Sequence, residues 1–244
     1  MTTLIVGASG ATGIRLVEEL LNRGQNVKAI VRSPDKLPDT IKNHEHLLVI
    51  SASVLELSDK ELEQHLAGCN AVASCLGHNL TFKGLFGKPR RLVTQATQRL
   101  CLAIKANNSG ASTKLVLTNT VANRNRNLKE PIPFARKFIV GLLRILLPPQ
   151  ADNEEAAEYL RTIVGQKDKA IEWIAVRPSS LIDTEKASEI EVYPSPMRSI
   201  INDGQISRIN VGHFMADLIT DNDIWNKWKG QMPVVYNKGT ALKL

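Results

Sequence analysis

Cysteine and aromatic residues are scarce in this chain. Its 244 residues include three cysteines, Cys69, Cys75 and Cys101, an odd number without Cys-x-x-Cys spacing, and only 5% Phe, Trp and Tyr. That cysteine pattern supplies neither a disulfide framework nor a zinc site, and buried free thiols are the simplest reading. The opening MTTLIVGASG lacks a charged segment followed by a long apolar stretch, so no secretory signal is read and the expected location is cytoplasmic. No transmembrane segment is expected either, because no apolar run is long enough to span a bilayer. Linkers rich in Ser, Gly or Pro and internal repeats are also missing. The expectation is a single domain over residues 1–244, with residues 179–244 contributing a substrate-side cap.

Charge of one sign is not concentrated anywhere. Lys and Arg number 31 against 24 Asp and Glu, a net charge of +7, but they are scattered, with modest clusters between residues 83 and 91 and between 124 and 137. Without a recognition motif this balance argues against a nucleic-acid partner and for an anionic small ligand.

What is present is a regular alternation. Short apolar runs stand at residues 3–7, 26–32, 46–51, 70–76, 114–120 and 172–178, several of them apolar almost throughout, as parallel strands covered on both faces are. Helical patterns lie between them at 12–23, 58–66, 90–107 and 152–168. Strand alternating with helix predicts an α/β fold with a doubly wound parallel sheet, a Rossmann fold, with right-handed crossovers. After Pro178 the pattern predicts a short strand over 205–210, a helix over 211–220 and a last apolar run over 232–236, together a small C-terminal cap.

The first strand runs into LIVGASGATGIRLVEEL, which places Gly7, Gly10 and Gly13 between strand and helix. Glycines there permit a tight turn, let a pyrophosphate approach the backbone and let helix and strand pack closely. The helix N-terminus then offers free N–H groups and its positive dipole end. The loop lacks the Lys-Ser/Thr ending of a triphosphate-binding loop, and Ala11 stands where a nucleophile elbow needs glycine. The second strand ends in Arg32, where dinucleotide folds place the residue that reads the ribose. Lys28 and Lys36 lie close enough in sequence to add positive potential.

These segments, with AIVRSPDKL, NAVASCLG, LVLTNT and WIAVRPSSLID in that order, resemble the short-chain dehydrogenase/reductase superfamily, in particular its extended and atypical NAD(P)-binding branch of NmrA-like proteins and flavin/biliverdin reductases. The resemblance implies that Gly7, Ser9, Gly10, Ala11, Thr12 and Gly13 hold the pyrophosphate of NADP(H), that Arg32 and Ser33 meet the adenosine 2′-phosphate, and that Leu76 and Gly77 wall the nicotinamide ribose. Pro178, closing the sixth strand, is a further implied cofactor contact. Family members usually carry an Asp after the third strand to hold adenine, and this chain offers Ser53 instead. Thr120, or failing that Thr118, matches the hydroxyl that orients a substrate carbonyl.

The family's Tyr-x-x-x-Lys pair is absent. Gln150 and Glu154 occupy its positions when Glu158 is aligned with the glutamate that follows the pair, and Tyr159 has no Lys four residues on. A packed helix residue is the simpler reading of Tyr159. His78, after the fourth strand, is either a proton donor or a residue on the exposed rim of the crevice. Asp152, Glu154, Glu155 and Glu158 read as a solvated face at the start of a helix. His44 and His46 flank Glu45 without a visible third ligand, so no metal site is assigned. The apolar, basic stretch 132–149 fits a core or dimer-facing helix, a lid, or a membrane-surface segment. The sequence therefore leads to an NADP(H)-binding oxidoreductase that passes hydride to a small organic acceptor, or to a non-catalytic NADP(H) sensor with a regulatory protein partner. A homodimer is compatible with either.

Overall fold

Each parallel strand of this chain carries apolar side chains on both sides, and the computed structural model shows what covers them. It describes residues 1–78, 87–107, 110–128, 130, 148–197 and 204–240. The strands are β1 (Thr2–Val6), β2 (Asn26–Val31), β3 (Leu47–Ser51), β4 (Ala71–Ser74), β5 (Thr113–Thr118) and β6 (Ile171–Pro178), followed by β7 (Ser180–Ile182), β8 (Ile190–Tyr193), β9 (Gln205–Ser207) and β10 (Val234–Asn237). Eight of them form one sheet in the order β3-β2-β1-β4-β5-β6-β10-β8. All neighbours are parallel except β8, which closes the edge antiparallel to β10.

The helices are α1 (Ala11–Asn22), α2 (Asp39–Lys42), α3 (Asp59–Leu66), α4 (Leu92–Ala106), α5 (Pro148–Tyr159), α6 (Arg208–Thr220) and α7 (Asn222–Trp228). One side of the sheet, with Ile5, Ala73, Val116 and Ile174, packs with Leu16, Val17 and Leu20 of α1 and with Phe214, Met215 and Leu218 of α6. The other side, with Leu4, Val6, Val72 and Leu115, packs with Leu62 of α3, Leu100 of α4 and Ala156 of α5. Side chains on a strand alternate between faces, so two helical layers account for the nearly continuous apolar runs. This is the doubly wound α/β arrangement, with the order reversing between β1 and β4.

The C-terminal segment is built partly into this body. β10 and β8 extend the sheet and α6 lies on α1, while β7 and β9 pair in parallel just past the end of β6. The strand expected over 205–210 is shorter. Ser207 accepts the Asn210 N–H through its side chain, an N-cap that starts α6 at Arg208. The helix expected over 152–168 begins at Pro148, loosens into a π turn over Leu160–Val164 and stops at Gly165, whose φ is +70°. Except for Pro148 and Pro149, the stretch 132–149 lies outside the described residues. Among those residues no helix is long and apolar enough to cross a membrane.

Candidate functional site

The turn after β1 is shaped by contacts that leave no room for side chains. At Gly7, with φ +76°, a Cβ would stand 2.6 Å from the Cys75 carbonyl carbon; at Gly13 it would stand 2.1 Å from the Gly7 carbonyl oxygen. These two glycines bring α1 and the end of β4 against the turn. Gly10 is different: a Cβ there meets only the Gly7 oxygen at 3.2 Å and the Cys75 oxygen at 4.0 Å. It is the N-cap of α1, no side chain caps that helix, and its first turn holds no acidic residue. The amides of the first turn have no partner within the helix, so the positive end of α1 is available to an anion.

In front of this turn, where the strand order reverses, lies a crevice of about 520 Å³. Gly7, Ser9 and Gly10 line it from β1, Arg32 from the end of β2, Ser53 from beyond β3, and Leu76 and Gly77 from beyond β4. These seven lining residues are among those that the resemblance assigns to the cofactor. Of the remaining expected contacts, Ala11 and Thr12 continue into α1 and Gly13 is buried beneath the turn. Ser33 precedes a single 3₁₀ turn (Pro34–Lys36), and Pro178 lies in β6 beside Val235. These five do not line the crevice.

The lining also holds residues that sequence reasoning missed. Glu56, beyond Ser53, adds a carboxylate to the β3 side, and Lys88, Pro89 and Leu92 form the wall that approaches α4. Lys36 lines the crevice as anticipated. Lys28 does not contribute there: its Nζ donates to the carbonyls of His65 (3.0 Å) and Ala67 (2.9 Å) and so closes the C-terminal end of α3.

The candidate proton-handling groups are spread apart. Thr118 directs Oγ1 at Met215 Sδ (3.3 Å) and Cys75 Sγ (3.8 Å), into the α6 layer. Burial pushes the Cys75 thiol up to about 12, against a smaller opposing effect of the Thr118 hydroxyl, so it is no thiolate nucleophile. Cys101, also buried, is pushed to about 12. Thr120 follows β5 half-buried; its Oγ1 accepts the Ala122 N–H at 3.3 Å. Tyr159 packs in the apolar layer beside Leu160, and burial raises its phenol pKa.

His78 is not on an exposed rim. Its side chain is 5% exposed, and Nε2 lies 2.8 Å from Asp152 Oδ2, itself 1% exposed. Asp152 also departs from its expected place on a solvated face. It accepts the N–H groups of Val93 (2.8 Å) and Thr94 (2.9 Å), capping α4 from a neighbouring helix. Burial opposes its ionisation most strongly, but the hydrogen bonds from His78, Thr94 and Val93 together outweigh burial and hold the carboxyl below the usual range. Glu155 and Glu158 do pair at the surface, with Arg91 and with Arg161 and Arg126. Gln150 Nε2 donates to Glu154 Oε1 at 3.0 Å, a neutral–acid contact where the family places Tyr and Lys.

A buried polar network fixes the chain beyond β5. Arg177, fully buried in β6, donates to both Glu130 oxygens (2.8 and 3.1 Å) and to the carbonyls of Asn123, Met232 and Pro194. Asn119 and Asn123 both donate to the Asn153 carbonyl, tying that loop to α5. An arginine inside an apolar strand is the signal that sequence reading had available and passed over.

A family model described as NAD(P)H-binding matches residues 7–222. The chain belongs to this NAD(P)H-binding family. Among solved structures, a short-chain dehydrogenase/reductase (wide type) from Veillonella parvula in complex with NADP superposes with a TM-score of 0.71 at 19% identity, over 99% of this chain and 96% of that one. A Streptococcus pneumoniae protein provisionally named an NADH-flavin reductase gives a TM-score of 0.64 at 20% identity, over 98% and 100%. Both share the fold expected from the resemblance. An uncharacterized chloroplastic protein of Arabidopsis thaliana is 44% identical over 59 residues, 24% of this chain and 21% of that protein. The chain spans about a fifth of the length of the curated relatives it matches. For an NAD(P)H-binding chain the crevice has a fitting chemistry: an uncapped helix end, a glycine beside it that opens to the ligand side, and cations at the end of β2.

Proposed function

We propose that this protein is a cytoplasmic NADP(H)-dependent oxidoreductase that passes hydride to a small organic acceptor such as a flavin, quinone or carbonyl compound. The observation that carries this reading is the uncapped N-terminus of α1 opening, through Gly10, into a crevice that also holds Arg32 and Lys36. The amides at the start of α1, with Ser9, take the pyrophosphate. Arg32 and Lys36 take the 2′-phosphate, which a carboxylate at the end of β2 would repel. Glu56 and Ser53 supply acceptors on the adenine side, and Leu76 and Gly77 wall the nicotinamide side. When bound, a nicotinamide supplies hydride. Thr120 orients the acceptor, and the balancing proton comes from water, because α5 carries Gln150 and Glu154 in place of a Tyr-Lys pair. His78 holds the Gly77 wall in place through Asp152. The Veillonella neighbour's NADP and the flavin reductase name of the Streptococcus neighbour agree with this choice.

A second reading, an NADP(H) sensor that signals to a protein partner without turnover, draws on polar groups that are already engaged within the chain. Thr118 is occupied by sulfur and Asn119 by the Asn153 carbonyl. Titration of NADPH and NADH into the wild type and R32A tests the cofactor. Losing a charge-assisted contact costs about 1.5 to 3 kcal/mol, so R32A is expected to weaken NADPH by roughly 10- to 100-fold and leave NADH nearly unchanged. Equal wild-type affinities, or equal losses in the variant, overturn the NADP assignment. NADPH oxidation against a panel of flavins, quinones and aldehydes separates enzyme from sensor: tight binding with no turnover on any acceptor favours the sensor.

A further inference from the structure

A pyrophosphate brings two negative charges into the crevice, and the glycine turn meets them with amides and hydroxyls alone. No cationic side chain stands between Gly7 and Gly13. The first cation of α1, Arg15, is 3.0 Å from Glu18 and is taken up by that pair. Arg32 and Lys36 approach from the end of β2, the side on which the adenosine ribose is read. A further wall carries the chain into α4 through Lys88, Pro89, Arg90 and Arg91. Arg91 is occupied, its guanidinium lying 2.5 Å from Glu155. Lys88 lines the crevice together with Gly7, Ser9 and Gly10, is exposed, and takes part in none of the ion pairs of the described residues.

We propose that Lys88 is a cofactor-binding residue of this chain, an ammonium that reaches in from the α4 wall and offsets one of the two charges of the pyrophosphate held at the α1 terminus. A lysine suits this role because its flexible stem carries a compact charge that needs no fixed bidentate geometry. The turn supplies direction through its amides, and Lys88 supplies the charge that the turn lacks. With Arg32 and Lys36 it gives three cations against the one carboxylate of Glu56 among the described residues of the lining. This inference rests on reading the crevice as the dinucleotide site.

The pyrophosphate is common to both dinucleotides, whereas the 2′-phosphate belongs to NADPH alone. Calorimetric titration of NADPH and NADH into the full chain is therefore expected to show K88Q weakening both by the same factor, about 5- to 20-fold. K88R retains most of the affinity, K88E loses more than K88Q, and the K88Q deficit shrinks at high salt. R32A in the same series discriminates between the two cofactors. Far-UV circular dichroism and melting temperature confirm that each variant is folded. Wild type that binds both cofactors while K88Q and K88E match it overturns the role of Lys88 and leaves the site reading standing. A K88Q loss confined to NADPH overturns it too, moving Lys88 to the 2′-phosphate. Wild type that binds neither cofactor overturns both this inference and the reading beneath it.

Discussion

Gly10 and Gly13 are three residues apart, yet they answer to different neighbours. At Gly13 the obstacle is the Gly7 carbonyl, 2.1 Å from where a Cβ would stand, and backbone packed between β1 and α1 cannot swing aside. G13A is expected to cost more than about 3 kcal/mol or to prevent folding. At Gly10 the nearest atom is 3.2 Å away and the residue is exposed at the crevice. G10V is therefore expected to melt within a few degrees of wild type while losing most of its affinity for NADPH, because its side chain fills the ligand side of the turn. Thermal melts paired with cofactor titrations check both, and a G10V variant with wild-type affinity sinks the role given to this turn. The spacing of the glycines is readable in the sequence, but the division of labour is not. Gly7 is constrained by Cys75, the residue that follows β4, and only the register of β1 with β4 brings the two together. Lys88 and Glu56 are hidden for the same reason, since each enters the crevice from an element whose approach no local pattern encodes.

At the level of elements, α4 and α5 depend on a single carboxylate. Asp152 of α5 accepts two amides of the first turn of α4 and the His78 ring, while Thr94 Oγ1 returns a bond to the Asp152 carbonyl at 2.9 Å. D152A leaves these buried donors without an acceptor, at a cost of about 3 kcal/mol, or roughly 6 to 12 °C in melting temperature for a chain of this size. The folded carboxyl titrates below the ordinary aspartate value, so its contribution is full above about pH 4 and is lost as pH falls through the folded value. Urea unfolding from pH 6 down to 2 should show the gap between wild type and D152A closing toward the acid end; a gap that stays constant contradicts the assignment. Strands β1 to β6 are legible in sequence because two covered faces demand unbroken apolar runs, and α1 because its buried stripe of Leu16, Val17 and Leu20 recurs at helical spacing. A buried cap such as Asp152 looks in sequence like any acid on a helix, and β8 is a four-residue edge strand whose half-buried IEVY carries no clear period.

On the scale of the whole molecule, the end of the chain is tied to its beginning. α6 crosses α1 so closely that a Cβ on Gly212 would stand 2.8 Å from the Arg15 carbonyl carbon, and Arg23, at the C-cap of α1, pairs with Asp217 of α6 at 2.7 Å. β10 covers the edge of β6 and β8 covers β10, so the sheet ends on an antiparallel strand and β6 is not left open. Arg177 adds a buried charge to the same seam: two of its carbonyl acceptors, Met232 and Pro194, come from beyond residue 179. A chain stopped at Pro178 would expose Leu16, Val17 and Leu20, all fully buried in the intact protein, and would leave that guanidinium short of acceptors. If residues 179–244 were a detachable cap, such a fragment would keep its fold and lose only the substrate side. The packing predicts the opposite: the 1–178 fragment should be insoluble or show no cooperative unfolding, and should not bind NADPH. Denaturant unfolding of the fragment and of the intact chain, followed by circular dichroism and tryptophan fluorescence, distinguishes the two. A single sharp transition in the fragment, with NADPH affinity near that of the whole protein, would show that residues 1–178 carry their own core and that α6 and β10 are accessories to it.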